Sequence, residues 1–332
     1  MRRRMSLIEQ TNGIKLKEIY EVPRRVDEEG HVWYRCLSDM DFATAKVGWA
    51  VGSTQILHTR DGGKTWLNQF KENEGCHFLN PHRVFAVSQN LCWIVAVSSG
   101  TDIRCCYTSD GGETWKGKRF EHEIHPNDLF FIDSKRGWLI SDNGRLPASE
   151  GRIQVTEDGG ESWQALEVRI DCKPHKIRFL DVQQGWLIEH YVNHDQTRTF
   201  SRLHASDDGG HSWRKIARFD RPIFDLHPLD ENHLFVVGEI GYIAKTTDGG
   251  QSWKRIESRS RANFNAVRFY SDRVGIALGD FNTLLLSIDG GQTWEKIRTT
   301  TNSDNFVNAH FQTNRRGILA SNNALHSFEL DL

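Results

Sequence analysis

The stretch His58-Thr-Arg-Asp-Gly-Gly-Lys-Thr-Trp66 decides the fold, because it returns five more times along the chain. The copies are Tyr107-Thr-Ser-Asp-Gly-Gly-Glu-Thr-Trp115, Val155-Thr-Glu-Asp-Gly-Gly-Glu-Ser-Trp163, Ala205-Ser-Asp-Asp-Gly-Gly-His-Ser-Trp213, Lys245-Thr-Thr-Asp-Gly-Gly-Gln-Ser-Trp253 and Leu286-Ser-Ile-Asp-Gly-Gly-Gln-Thr-Trp294. Successive box tryptophans lie 49, 48, 50, 40 and 41 residues apart. A period of that size marks stacked or radial structural units. Each box reads as a tight hairpin. Asp-Gly supplies positive φ at little steric cost. The carboxylate can accept nearby backbone N–H groups. The closing Trp re-enters a strand with a large apolar body for packing between sheets.

A second register runs ahead of each box. A strand ending in Phe is followed by Gly-Trp or Gly-Ile, as in Cys36-Leu-Ser-Asp-Met-Asp-Phe42 with Gly48-Trp-Ala-Val-Gly52. Trp49, Trp93, Trp138 and Trp186 hold one equivalent position, which becomes Phe235, Ile276 and Ile318 in later units. That makes seven units of four short strands, a to d. The seventh has no box and ends after about three strands. The alternating run 14–22 is expected to supply its strand d and remove an open edge. The expectation is one all-β domain over residues 1–332: a seven-bladed β-propeller, blades 1–7 spanning 31–332, with 14–22 as the closing strand.

These boxes resemble the Asp box, or BNR repeat, of β-propellers. The phrase Asp41-Phe-Ala-Thr-Ala-Lys-Val-Gly-Trp-Ala-Val-Gly52, followed by Ile56-Leu-His-Thr-Arg-Asp-Gly-Gly-Lys-Thr-Trp66, is similar to the photosystem II stability/assembly-factor-like propellers. The resemblance spans nearly the whole chain. It implies a non-enzymatic, protein-binding scaffold: an assembly factor or a structural subunit of a larger complex. It also implies a basic patch that meets a client membrane protein, and action outside the cytoplasm.

Composition mostly restates the repeat. Twelve of the 28 Gly lie in the boxes; ten of the 11 Trp close boxes or mark strand b, leaving Trp33 outside the pattern. The 42 Lys plus Arg against 44 Asp plus Glu give a formal net charge of -2, so wholesale nucleic-acid binding is not expected. No run is apolar enough to span a membrane, and direct membrane insertion is not expected. The N-terminus lacks an apolar signal core, which points to a cytoplasmic protein, or a periplasmic or lumenal one if a leader was removed. The six cysteines lack metal spacing and read as reduced thiols.

The box carboxylates Asp61, Asp110, Asp158, Asp208, Asp248 and Asp289 read as structural, because an active site needs one constellation and not six copies. No catalytic residue, metal site or cofactor is assigned. His122, His125, His190 and His194 are the tightest histidine groupings, without cysteine partners. Sialidases carry Asp boxes too, so a sialidase-like glycoside hydrolase or a carbohydrate-binding propeller is the alternative reading; Val22-Pro-Arg-Arg25 is not the sialidase arginine motif.

Two asymmetries stand above the repeat. From the strand-b marker to the box Trp the distances are 17, 22, 25, 27, 18 and 18 residues, so the b–c hairpins of blades 2–4 are long. They form a ridge carrying Arg145, Arg152, Arg198 and Arg202. Lining the channel on strand a, one residue before the marker Phe, stand Arg178, His227, Arg268 and His310, with Lys176 near the ridge end of blade 4. Ridge and arc together are expected to bind an acidic segment of a protein partner. The histidines are expected to strengthen that attraction at mildly acidic pH.

Overall fold

The computed structural model describes residues 8–11, 14–23, 25–26, 32–33, 36–53, 55–70, 80–97, 105–120, 125–143, 150–168, 170, 172–193, 199–297, 299 and 304–331. Their regular structure is all strand. Seven sheets stand in a ring. Their innermost strands a are Leu37–Phe42, Asn80–Ala86, His125–Phe131, Lys173–Phe179, Ile223–Pro228, Phe264–Phe269 and Phe306–Phe311. Blades 1 to 6 each run a-b-c-d outward with antiparallel pairing, as in Leu37–Phe42, Gly48–Gly52, Gln55–Thr59 and Leu67–Asn68 of blade 1. Blade 7 runs Phe306–Phe311, Arg316–Ser321, Ala324–Leu330, then Ile14–Glu21, with Ile8–Thr11 added beyond. That fifth strand is not anticipated by the repeat. Trp33 lies in a two-residue ribbon, Arg25–Val26 with Val32–Trp33, between Ile14–Glu21 and blade 1.

Middle strands read as apolar runs because both faces of a blade are covered. Gly48–Gly52 is buried throughout, whereas the outer Leu67–Asn68 is exposed. Among the described residues the buried side chains gather in seven clusters, each between neighbouring blades. Phe42 and Trp66 of blade 1, for example, pack with Ile318 and Leu325 of blade 7.

The boxes share one hydrogen-bond plan. In blade 1 the Thr59 hydroxyl donates to Asp61 Oδ1 (2.9 Å) and accepts from Gly63 N (2.8 Å), while Thr65 N and Oγ1 donate to Asp61 (2.9 and 2.7 Å). The positive φ falls on the two glycines, 76° and 83° at Gly62 and Gly63, rather than on the Asp. The second glycine also makes room: a Cβ on Gly160 would come within 2.2 Å of the Trp93 ring.

That close approach explains the strand-b tryptophans. Trp93 Nε1 donates to Gly159 O of the next blade's box (3.1 Å), and Trp138 Nε1 to Gly209 O (2.9 Å). Where the Trp is replaced, another donor reaches the box glycine: Lys245 Nζ to Gly290 O (3.2 Å) and Gln312 Nε2 to Gly62 O (2.9 Å). Trp93 and Trp138 thus staple one blade to the next, whereas in blade 1 the Trp49 indole donates to Gln69 (3.2 Å), whose Nε2 reaches Gly111 O of the next box (2.9 Å). Trp138 is fully buried and stacked on Phe179. Trp138→Ala should cost about 3–5 kcal/mol of unfolding free energy. Trp138→Phe, which leaves the Gly209 carbonyl without its donor, should cost about 1–3 kcal/mol. Denaturant titration of both variants checks the order.

Candidate functional site

Strand a presents alternate residues to the central channel. One level reads Asp41, Phe85, Phe130, Arg178, His227, Arg268 and His310 in blade order; two residues earlier the wall reads Asp39, Arg83, Asp128, Lys176, Asp225, Ala266 and Asn308. Opposite charges in adjacent blades meet. Asp128 accepts from Arg178 Nη1 (2.8 Å) and Ile177 N (3.2 Å) and lies 3.7 Å from Arg83 Nε. Asp225 accepts from Arg268 Nη1 and from Val267 N (3.1 Å), with Lys176 Nζ 3.6 Å away. Asp39 accepts from Val84 N (3.2 Å) and from Asn308 Nδ2 of blade 7 (2.7 Å). The acids of blades 1, 3 and 5 therefore stitch each of those blades to the next. Asn308 links the last blade to the first.

Burial alone would raise the Asp225 and Asp128 carboxyls. The cations facing them outweigh it and hold both below the usual range. Burial lowers the Lys176 ammonium to about 8. It lowers His227 to about 3 and His310 to about 4, helped by Arg268. These imidazoles stay neutral at mildly acidic pH, so the expected strengthening of a cationic arc there does not occur. Asp41 moves the other way: burial pushes it up to about 7 although Ala86 N donates to it (2.9 Å).

The arc lines a cavity of about 460 Å³ to which all seven blades contribute. A second cavity of about 860 Å³ between blades 5 and 6 shares His227, Pro228, Phe269 and Tyr270 with it. A third, about 200 Å³, lies between blades 4 and 5. All three lie toward the box-bearing end. The register makes this plain: Arg178 pairs with Trp186 next to the a–b turn, whereas Lys173 pairs with His190 at the hairpin end. At ~3.3 Å per residue these levels are roughly 15 Å apart. Arc and ridge are thus separate places along the channel axis rather than one continuous surface.

Of the ridge residues, Arg145, Arg198 and His194 lie outside the described residues, as does His122. Arg152 is exposed on strand c of blade 3 opposite Ser141. Arg202 has more company. Its guanidinium lies 5.4 Å from the Phe200 ring, and Arg218, its cross-strand neighbour, lies 4.3 Å from the same ring. In blade 5, Arg221 and Arg255 approach Tyr242 at 4.9 and 5.6 Å. Tyr191 stacks behind Phe200 at 4.5 Å. Each aromatic face holds guanidiniums in place. Sequence reading missed Phe200, Arg218, Arg221, Tyr242 and Arg255. The missing signal is cross-strand register, which brings Arg202 beside Arg218.

His175 and His190 stack at 4.0 Å, each with Nε2 at a blade 5 carbonyl, Phe224 O and Ile223 O respectively. Among the described residues no three His, Cys, Asp or Glu gather as a metal site. The box carboxylates are fully engaged. Burial alone would raise Asp110, but the Thr114 and Thr108 hydroxyls and the Thr114 N–H bring it down to about 2; at Asp248 Ser252 leads the same effect. The cysteines need a correction. Cys36, Cys92 and Cys105 are free thiols and Cys172 Sγ accepts from Arg202 Nη1 (3.5 Å), but Cys106 is disulfide-bonded and its partner lies outside the described residues.

Boxes, blades and channel define the class: an all-β propeller of seven blades, six of them carrying Asp boxes. The model of the photosynthesis system II assembly factor YCF48 family matches residues 31–165, 155–261 and 208–305, and the chain belongs to that family. Among solved structures it is similar to "YCF48 bound to D1 peptide", with 20% identity, a TM-score of 0.72 and 98% of each chain covered. It is similar also to YCF48 from Cyanidioschyzon merolae, with 20% identity, a TM-score of 0.70 and coverage of 96% and 99%. A streptogramin B lyase shares the fold at 10% identity and a TM-score of 0.67, covering 97% of this chain and 100% of its own. No curated protein matches the sequence.

Proposed function

We propose that this protein is a non-catalytic assembly factor that holds an acidic segment of a client protein on its hairpin-bearing face. The observation that carries the reading is the four-arginine cluster held on Phe200 and Tyr242. Arg202, Arg218, Arg221 and Arg255 face aromatic rings. Arg202 Nη1 already reaches Cys172 Sγ (3.5 Å) and Arg218 Nε lies 3.5 Å from the exposed Asp220 carboxylate, so a client carboxylate meets the remaining edge donors of these planar guanidiniums. Arg152, exposed on strand c of blade 3, adds to that basic character, and the sequence puts Arg145 and Arg198 in the long hairpin segments of blades 3 and 4. Lys176, Arg178 and Arg268 serve mainly to close the ring, since their charges are already met.

A glycosidase needs two working carboxyl groups. Asp41 is the one cavity acid with a raised pKa, while both oxygens of Asp39 are taken by Met40 N, Asn308 and Val84 N. That arrangement supports a scaffold. The disulfide at Cys106 supports work in an oxidising compartment, lumenal or periplasmic.

The test is titration with a D1 peptide, the ligand named for the similar structure. Combined Arg218→Ala and Arg221→Ala should weaken binding at least about tenfold and flatten its salt dependence, because two charge-assisted contacts are lost. Thermal stability should stay near wild type, since Arg218 is 58% exposed. Unchanged affinity in the variant, or no binding by the wild type, contradicts the proposal.

A further inference from the structure

Two surface turns run against their own residue types. The b–c turns of blades 5 and 6 close with Tyr242 N donating to Glu239 O (3.3 Å) and Thr283 N to Asp280 O (3.1 Å). Both central residues of each turn have positive φ: Ile240 at 51° with Gly241 at 67°, and Phe281 at 54° with Asn282 at 54°. That is the type I′ turn, whose first central place ordinarily goes to Asn, Asp or Gly. A β-branched Ile or a bulky Phe is strained there. The conformation is imposed from the next blade: Ile240 N donates to Asn263 Oδ1 (3.0 Å), and Phe281 N to Asn305 Oδ1 (3.0 Å).

Packing does not account for the side chains. Ile240 is 53% exposed and Phe281 75%. They occupy equivalent tips on adjacent blades, both on the hairpin face. Between those blades the d–a loop carries exposed Arg259 and Arg261. The cavities described above lie toward the opposite end, so the tips are knobs rather than the walls of one of them. Apolar anchors for a protein partner usually sit in well-packed pockets. Protruding apolar tips flanked by guanidiniums instead match a bilayer interface, where apolar groups reach the acyl boundary and arginines meet anionic headgroups.

We propose that Ile240 and Phe281 seat the propeller on an anionic lipid surface, with Arg259 and Arg261 contacting headgroup phosphates. This contact lies on the membrane and spans nothing; no helix among the described residues is long and apolar enough to cross one. It goes beyond client binding and does not depend on it.

The test is co-sedimentation of the full chain with phosphatidylcholine vesicles, with and without phosphatidylglycerol. Wild-type protein should bind the anionic vesicles. Ile240→Asn and Phe281→Asn should each lower the partition coefficient about tenfold. Combined Arg259→Gln and Arg261→Gln should abolish the preference for phosphatidylglycerol. The Asn variants should melt at or slightly above the wild-type temperature, because Asn tolerates positive φ. Failure of the wild type to bind, Asn variants that bind as well as wild type, or Asn variants that melt lower would each overturn the proposal. Client-peptide affinity measured without vesicles should be the same in these variants, so the two readings fail separately.

Discussion

Stability should fall steeply as pH drops from 6.5 to 4.5, well before the ordinary surface carboxylates titrate. Burial lowers His58, His82, His190, His310 and His326 to about 4 and His227 to about 3. His175 is pushed well below the ordinary value by burial and by His190. The unfolded chain takes up protons near pH 6.5 that the native state refuses. Stability therefore rises with pH in this window and is lost on acidification. Each refused proton contributes about 1.4 kcal/mol per pH unit. Asp41, raised to about 7 by burial, has the opposite sign: between its unfolded value of 3.8 and 7 the native state holds a proton the unfolded chain releases. It offsets about one histidine. The remainder can exhaust a typical stability of about 5–15 kcal/mol within one to two pH units. Denaturant midpoints at pH 8, 6.5, 5.5 and 4.5 measure this. A flat profile down to pH 4.5 contradicts it.

Asp225→Ala should be among the most damaging single changes, at about 3–5 kcal/mol. The carboxylate is fully buried, accepts from Val267 N and Arg268, and faces Lys176. Its loss leaves two cations in the channel wall without their acid. Adding Lys176→Met should recover part of the loss, because one uncompensated charge leaves with it; the double variant should lie well short of the additive sum. A loss below about 1 kcal/mol, or strict additivity, would show that the ion lattice does not hold the blades.

Blade number and the equivalence of Trp49, Trp93, Trp138 and Trp186 are legible in the sequence because local turn chemistry repeats. What those tryptophans do is less legible, since Trp138 reaches Gly209 in the next blade. The channel shows the same limit. Arg178 and Arg268 stand out as a basic arc, yet their partners Asp128 and Asp225 sit 50 and 43 residues earlier, each on strand a of the preceding blade. Stacking the seven strands a in register exposes the alternation of acid and base two residues before the arc. At the hairpin face, extra length in blades 2–4 is visible, but the side chains that cluster there are set by strand pairing. Ile240 and Phe281 look ordinary in sequence. Only their backbone φ marks them.

The central claim is that the arginine–aromatic cluster of blades 4 and 5 receives the client. Backbone hydrogen exchange with and without the client peptide tests it most directly. The account predicts new protection in Thr199–Ser206, Arg214–Phe219 and Tyr242–Thr246, with little change at the box-side ends of strands a. Protection confined to the box-side cavity, or none at a saturating peptide concentration, would contradict it.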